Sequence, residues 1–382
     1  LRSAAEAALI LVIGMGFGRF AFTAIYPLMV EEGVITLQGG SIAASANYAG
    51  YLLGALLLMW ARSHRANLLC VVATLGTAAC LAVLAMLTSV WAIVVVRLLA
   101  GVLSAVAMVA GSLWLFEHRA QFAGAPLLYA GVGVGIALSA ELLVLGGQFG
   151  LHSGGMWLLL GAPAFVLSLL ALPGLLFSPA VAAGLSADSA RSSAPSVAAV
   201  PLVLLYGLAG LGYIVTATYL PVQVRDSFPD LNAAHVWAVF GLGAAPSCFL
   251  WHQVHERLGT RAALRLNLLI QACGVSLPVL LPSTIGFTLS ALLVGGTFMG
   301  TVTIAMPAAQ RAARQGGANL MAIMTLAYGV GQILGPLMAD RLHAVFLSFN
   351  SALLAAAVGG GRCGRADGSD GGRRRRRRRV AW

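Results

Sequence analysis

The sequence contains no lysine: all 23 basic residues among its 382 are arginine. Asp and Glu together number 12, so only 9% of the chain is charged. An average soluble domain carries about a quarter. That scarcity excludes a cytosolic globular protein, and the 59% hydrophobic content excludes a disordered one. Cysteine is also sparse. There are five, an odd number, with no CxxC or His/Cys spacing, so neither a disulfide framework nor a metal site is expected. Cys70, Cys80, Cys248 and Cys273 lie inside apolar runs and read as small packing residues. Ten residues of helix would put Cys70 and Cys80 about 15 Å apart, beyond disulfide reach. Catalytic and nucleotide motifs are missing as well. No G-x4-G-K-[ST] occurs, no strand precedes GFGRF, no GxSxG is present, and His255-Glu256 is not HExxH because residue 259 is Gly. No enzyme activity, ATP coupling, cofactor or metal is therefore expected. The bias to Arg, together with 46 Gly, points to a GC-rich genome.

What the chain has is apolar length, with a mean hydropathy of +0.90. A bilayer-crossing helix needs about 20 apolar residues. Such runs lie at 4–29, 41–60, 67–87, 91–115, 126–149, 156–178, 199–222, 236–252, 262–281, 285–307 and 318–339, and a shorter one at 344–358. The first run is too long for a signal peptide and leads into further spans, and Leu1 in place of Met points to a true start upstream. With the N-terminus inside, the cytoplasmic loops hold Arg2, Arg62, Arg65, Arg119, Arg191, Arg257, Arg261, Arg265, Arg311 and Arg314. The other side holds only Arg225 and Arg341, and its first loop carries Glu31 and Glu32. The positive-inside rule then fixes a cytoplasmic N-terminus and a multi-pass protein of a bacterial inner membrane.

The longest loop, 179–198, is rich in Ser and Ala and reads as a cytoplasmic linker between an N-terminal half, 1–178, and a C-terminal half, 199–358. An internal repeat supports the division. Gly16, Gly18 and Pro27 of the first run recur as Gly210, Gly212 and Pro221 of the seventh, each 194 residues on. Gly131 and Gly135 of the fifth run match Gly331 and Gly335 of the eleventh. The fold class expected is all-α and polytopic, with two six-helix bundles and the last of twelve spans truncated or degraded.

Two six-span halves in parallel repeat, joined by a cytoplasmic linker, resemble the major facilitator superfamily. Glu256-Arg257-Leu258-Gly259-Thr260-Arg261 resembles that superfamily's D-R-x-G-R-R/K gating loop. Arg62-Ser63-His64-Arg65 keeps the charge of the matching loop but not its pattern. Arg97-Leu-Leu-Ala-Gly101 is similar to the R-x3-G motif of span four, and Gly331-Gln-Ile-Leu-Gly335-Pro336 to a G-x3-G-P motif usual in span five. More closely, GFGRFAFT (16–23) running to Pro27, SANYAGYLLGA (45–55) and YGVGQILGP (328–336) resemble the YbfB/YjiJ branch over about residues 4 to 345. The resemblance implies a secondary transporter working by alternating access, with protons as the coupling ion, and it places spans one, four and five around a central cavity.

Charge inside a membrane is costly and marks function by default. Three such groups occur, Arg19, Arg97 and Glu141, at a similar depth. Glu141 is expected to pair with Arg19 or Arg97 and to carry the coupling proton, since burial raises a carboxyl pKa and a passing Arg lowers it. The arginine left over suits a substrate carboxylate or another anion. Asn47, Gly50, Tyr51 and Gly54 share one face of span two, and Tyr328 and Gln332 one face of span eleven, where they would orient a substrate or hydrogen-bond between helices. Tyr48, Tyr129, Tyr206 and Tyr219 are weaker candidates. Trp91, Trp157 and Trp237 fall at span ends and read as interfacial anchors.

The last stretch does not match the rest. The twelfth run breaks at Gly359 after about 15 apolar residues, near 22 Å of helix and short of the ~30 Å core. Residues 361–382 hold nine of the 23 Arg and two of the 12 acids, hence +7 of the +11 net charge. The tail 359–382 is either lipid-binding or, preferably, the product of a slipped reading frame. The remaining charge belongs to the loops, so nucleic acid is not an expected partner. The expected partners are a small-molecule substrate, anionic by the argument above, the bilayer and protons, and the expected state is a monomer. A transporter-like sensor or a polytopic membrane enzyme are the alternatives; the first would need a soluble domain and the second a catalytic constellation, and neither is found.

Overall fold

The structure, a computed structural model, describes residues 1–61, 63–177, 199–227, 233–313 and 320–346. The linker 179–198, the twelfth run beyond 346 and the tail 359–382 lie outside the described residues, as do Arg62, Arg191 and Arg314. In hydrocarbon each backbone N–H and C=O must be satisfied within its own segment, which makes every apolar run a helix. The helices are α1 Arg2–Glu31, α2 Leu37–Leu57, α3 Ala66–Leu84, α4 Val90–His118, α5 Ala125–Gln148 and α6 Ser153–Phe177. After the linker come α7 Ala199–Ser227, then Ala233–Leu280, α10 Thr284–Ala313 and α11 Leu320–Phe346. The 48-residue element is broken at Gly259, whose φ of 76° leaves the helical region, so it is two helices, α8 (233–258) and α9 (260–280). Only glycine adopts that backbone without strain. Each of the eleven long runs therefore has its helix. Among the described residues, eight helical stretches are long and apolar enough to cross a membrane. Their outward faces carry large apolar side chains such as Leu68, Val95, Phe165 and Leu170, a surface that water would not tolerate.

Two features of the packing position the centre. First, α1 is not a uniform α-helix: Val12–Phe20 is π-helical between Arg2–Leu11 and Phe22–Glu31. A π stretch breaks the regular i→i+4 ladder and is commonly a functional feature. Here α4 supplies donors to its carbonyls. Ser104 Oγ donates to Gly14 O at 2.7 Å, Arg97 Nη1 to Gly18 O at 2.9 Å and Arg97 Nη2 to Arg19 O at 3.3 Å. Second, the glycines of the repeat are points of close approach. A Cβ on Gly135 of α5 would sit 2.7 Å from Val12 O and 2.8 Å from Gly16 Cα of α1. Gly335 of α11 likewise faces Leu211 O of α7, at 3.1 Å from a built Cβ.

Among the described residues, α1–α6 and α7–α11, below called the first and second half, meet along two seams. In the first, a Cβ on Gly241 of α8 would lie 2.7 Å from Gly133 O of α5. In the second, Gly329 of α11 lies against the side chains of Tyr51 and Leu52 of α2, at 3.4 and 3.2 Å from a built Cβ. The loop after α1 is tied to the start of α6: Ser153 N donates to both carboxylate oxygens of Glu32 at 3.0 Å, its hydroxyl donates to Oε2, and His152 Nδ1 lies 3.1 Å from Oε1. Partial burial pushes the Glu32 carboxyl pKa up, but the hydrogen bonds from Ser153 and His152 outweigh it and hold the group below its ordinary value.

Candidate functional site

The centre is built around two buried arginines that the π stretch and α4 bring together. Arg19 sits near the end of the π stretch and is 3% exposed; Arg97 in the middle of α4 is 2% exposed. Their surroundings differ. Arg97 spends two nitrogens on α1 carbonyls, and its Cζ lies 4.4 Å from the centre of the Phe22 ring. Asn47 of α2 in turn donates to Arg97 O at 2.9 Å, so it clamps α2 to α4.

Arg19 points across the interface between the halves. Its Nη2 donates to Gln332 Oε1 on α11, and Gln332 Nε2 donates to the Tyr213 hydroxyl on α7. The face of the guanidinium is covered by aromatics of its own half. Its Cζ lies 4.0 Å from the Tyr51 ring centre, 5.2 Å from that of Tyr48 and 5.7 Å from that of Phe20. Stacking covers a guanidinium face but not its N–H edge. Among the described residues, Nε and Nη1 of Arg19 are buried with no hydrogen-bond partner, as are Nε of Arg97 and the hydroxyl of Tyr328. Among the described residues no ion pair involves Arg19 or Arg97.

The C-terminal half answers with rings. Tyr213 of α7 stacks on Phe298 of α10 at 4.3 Å and on Tyr328 of α11 at 5.5 Å, with interplanar angles of 18° and 21°. Tyr206 packs on Tyr328 at 4.7 Å, and Phe298 meets Phe20 of the other half edge-on at 5.9 Å. All these groups are buried. The centre thus consists of an incompletely satisfied cation from one half set against buried aromatic rings from the other.

The expected pairing of Glu141 with an arginine is wrong. Glu141 projects from α5 toward the start of α8, where its Oε1 lies 3.0 Å from His235 Nδ1. The side chain is 52% exposed, so it is not the expected buried carboxyl. The reason is angular: Arg19 is met from α11, and the face of α5 that bears Glu141 turns to the second half. At the opposite end of the bundle Gln310 Nε2 of α10 donates to Glu117 Oε1 at the end of α4, a second polar link between halves. The interfacial role expected for two tryptophans is wrong too. Trp157 is 1% exposed and stacks on Phe22 at 6.3 Å, while Trp237 stacks on Phe240 at 4.8 Å and lies 6.2 Å from Phe20. Trp91 is exposed at the start of α4.

The remaining candidates fall as follows. Tyr51, Tyr328 and Gln332 join Arg19, whereas Tyr129 bonds to Ser112 at 2.9 Å, away from it. The side chain of Tyr219 lies outside the described residues. Glu256, Arg257 and Arg261 are exposed around the turn at Gly259, where Glu256 Oε1 lies 3.3 Å from His252 Nε2 and Thr260 Oγ1 lies 2.9 Å from His255 Nε2. Cys70, Cys80 and Cys248 are buried as free thiols, and Cys273 is exposed. Among the described residues no cluster of His, Cys, Asp or Glu could hold a metal ion. Sequence reasoning missed Phe298 and His235 entirely, and Tyr213 was not singled out although it directly follows Gly212 of the repeat. A family model described as an uncharacterised MFS-type transporter, YbfB, matches residues 11–363. No curated protein matches the chain.

Proposed function

Since this chain belongs to the family of YbfB-type MFS transporters, and is thus a multi-pass membrane transporter, we propose that its cargo is a small organic anion held by Arg19. One observation carries the proposal: Arg19 is buried among rings with two unpartnered nitrogens and no carboxylate beside it. A buried charge without a counter-charge is expensive to keep. An anionic cargo removes that cost on binding, because a carboxylate accepts from the guanidinium N–H edge that the protein leaves bare. Arg97 is a positioning residue: both its terminal nitrogens hold the backbone that carries Arg19.

Alternating access follows from parting the seams one at a time. The α2–α11 contact and the α5–α8 contact both cross between halves, and each can open while the other stays closed. The Glu141–His235 pair bridges the α5–α8 seam and is the proposed point of proton coupling, because histidine is the side chain whose charge changes near neutral pH. The arginine bias of the loops supports an N-terminus in the cytoplasm of a bacterial inner-membrane protein.

The test is uptake of small carboxylates by proteoliposomes containing Arg19→Gln. The expected outcome is loss of uptake by roughly 100-fold or more, the scale of a charge-assisted bidentate contact removed from a dry site, with the protein still folded. Unchanged uptake of the same carboxylates by the variant would overturn the assignment.

A further inference from the structure

Resting on the reading of Arg19 as an anion site, we propose that the cargo is a planar aromatic monocarboxylate, with its ring received by the Phe298–Tyr213–Tyr328 stack. The closed site already contains a substitute for such a molecule. Gln332 ends in a flat carboxamide, similar in size and shape to a carboxylate. Its oxygen accepts from Arg19 and its nitrogen donates to Tyr213. A carboxylate that takes over the place of Oε1 therefore arrives beside Tyr213, whose ring lies 18° and 21° from parallel to those of Phe298 and Tyr328, while those two are tilted 33° to each other with centroids 6.5 Å apart.

The three rings come from three helices, α10, α7 and α11, so moving those helices apart opens gaps between ring faces rather than tearing a continuous surface. A flat ring fills such a gap at stacking distance, whereas a puckered aliphatic ring does not. The opposite wall is suited to the charged end of the same molecule, for the Tyr51 ring lies 4.0 Å from Arg19 Cζ while Nε and Nη1 are left without partners among the described residues. The buried Tyr328 hydroxyl, with no partner, is an additional donor on the ring side. A single carboxylate matches the two nitrogens that Arg19 leaves unpartnered, since both terminal nitrogens of Arg97 are committed to backbone carbonyls and only its Nε is without a partner among the described residues.

The experiment measures binding of three probes of similar size to the purified full chain in detergent, by titration calorimetry. Benzoate has ring and charge, cyclohexanecarboxylate has charge without a flat ring, and benzamide has the ring without charge. Benzoate is expected to bind about tenfold more tightly than cyclohexanecarboxylate, the scale of one aromatic pair, and benzamide far more weakly than either. Phe298→Leu should bring the two carboxylates to within about twofold by removing that same pair. Should that variant fail to fold, Tyr328→Leu is read by the same ratio. Equal binding of the two carboxylates by the wild-type protein overturns the aromatic proposal and leaves the anion reading standing. Benzamide binding as tightly as benzoate, or no binding of either carboxylate, overturns the anion reading and the aromatic proposal with it.

Discussion

Two arginines in the same half, buried to the same degree and joined through one stretch of backbone, have opposite fates. The region around Arg97 is the better satisfied: two nitrogens fill carbonyls of the π stretch, only Nε is left without a partner among the described residues, and Asn47 holds the α4 backbone from the other side. The region around Arg19 is left open in the chemical sense. One nitrogen reaches a neutral amide on the other half, and two reach nothing. Burial and charge, which the two share, do not separate a structural cation from a binding one. The count of satisfied donors does.

The largest expected effect breaks this comparison into separate readouts. Arg97→Gln should lower thermal stability, since the carbonyls of Gly18 and Arg19 lose donors at about 1–3 kcal/mol for each buried acceptor left unmet. Arg19→Gln should leave the melting temperature unchanged or raise it, while uptake collapses. Melting curves and uptake rates of the two purified variants check the split; a stability loss in Arg19→Gln as large as that in Arg97→Gln would erase the distinction.

A smaller effect is expected at the seam between α5 and α8. Glu141→Gln and His235→Asn should each flatten the dependence of uptake on an imposed pH gradient, by about the tenfold that one coupling contact of 1–2 kcal/mol supplies. Substrate binding at fixed pH should change little. Vesicle uptake with and without the gradient measures this, and a gradient response equal to wild type in both variants would remove the pair from coupling.

The smallest effect lies at the bundle end, where Glu32 accepts from Ser153. Its folded-state pKa is lowered by those hydrogen bonds, which outweigh burial. A depressed carboxyl stabilises fully above its unfolded value, about 4.3, and that stabilisation fades as pH falls through the folded-state value. Melting temperature measured from pH 7 downward should thus fall more steeply below about pH 4.3 in the wild type than in Glu32→Gln, with the variant slightly less stable at neutral pH.

How much of this was legible beforehand depended on whether a residue's meaning was local. The helices were, because an apolar run in a bilayer has no other backbone solution, and Gly259 announced a turn between spans eight and nine. Arg19 was legible as a charge in an apolar run. Its partners were not: Gln332 lies 313 positions away, and nothing along the chain selects it over Glu141. Phe298 was invisible for a different reason. An aromatic within an apolar run has the same appearance whether it faces lipid, core or cargo. Trp157 and Trp237 misled because position at a span end fixes depth but not direction, and both turn inward onto phenylalanines.

The break at Gly259 also constrains how the halves can part. One residue between α8 and α9 is a tether of a few ångströms, since successive Cα atoms are about 3.8 Å apart. The two helices cannot slide past one another at that end and can only swing about it. Through Gly241, α8 rests on α5 of the first half, while α9 is pinned to α10, where Asn267 Nδ2 donates to Thr297 O at 3.1 Å and Asn267 Oδ1 accepts from Thr301 Oγ1 at 2.6 Å. Any tilt of α8 away from α5 is therefore transmitted as leverage to α9 and α10, and with α10 goes Phe298, so the opening of a distant seam and the spacing of the aromatic stack are geared together.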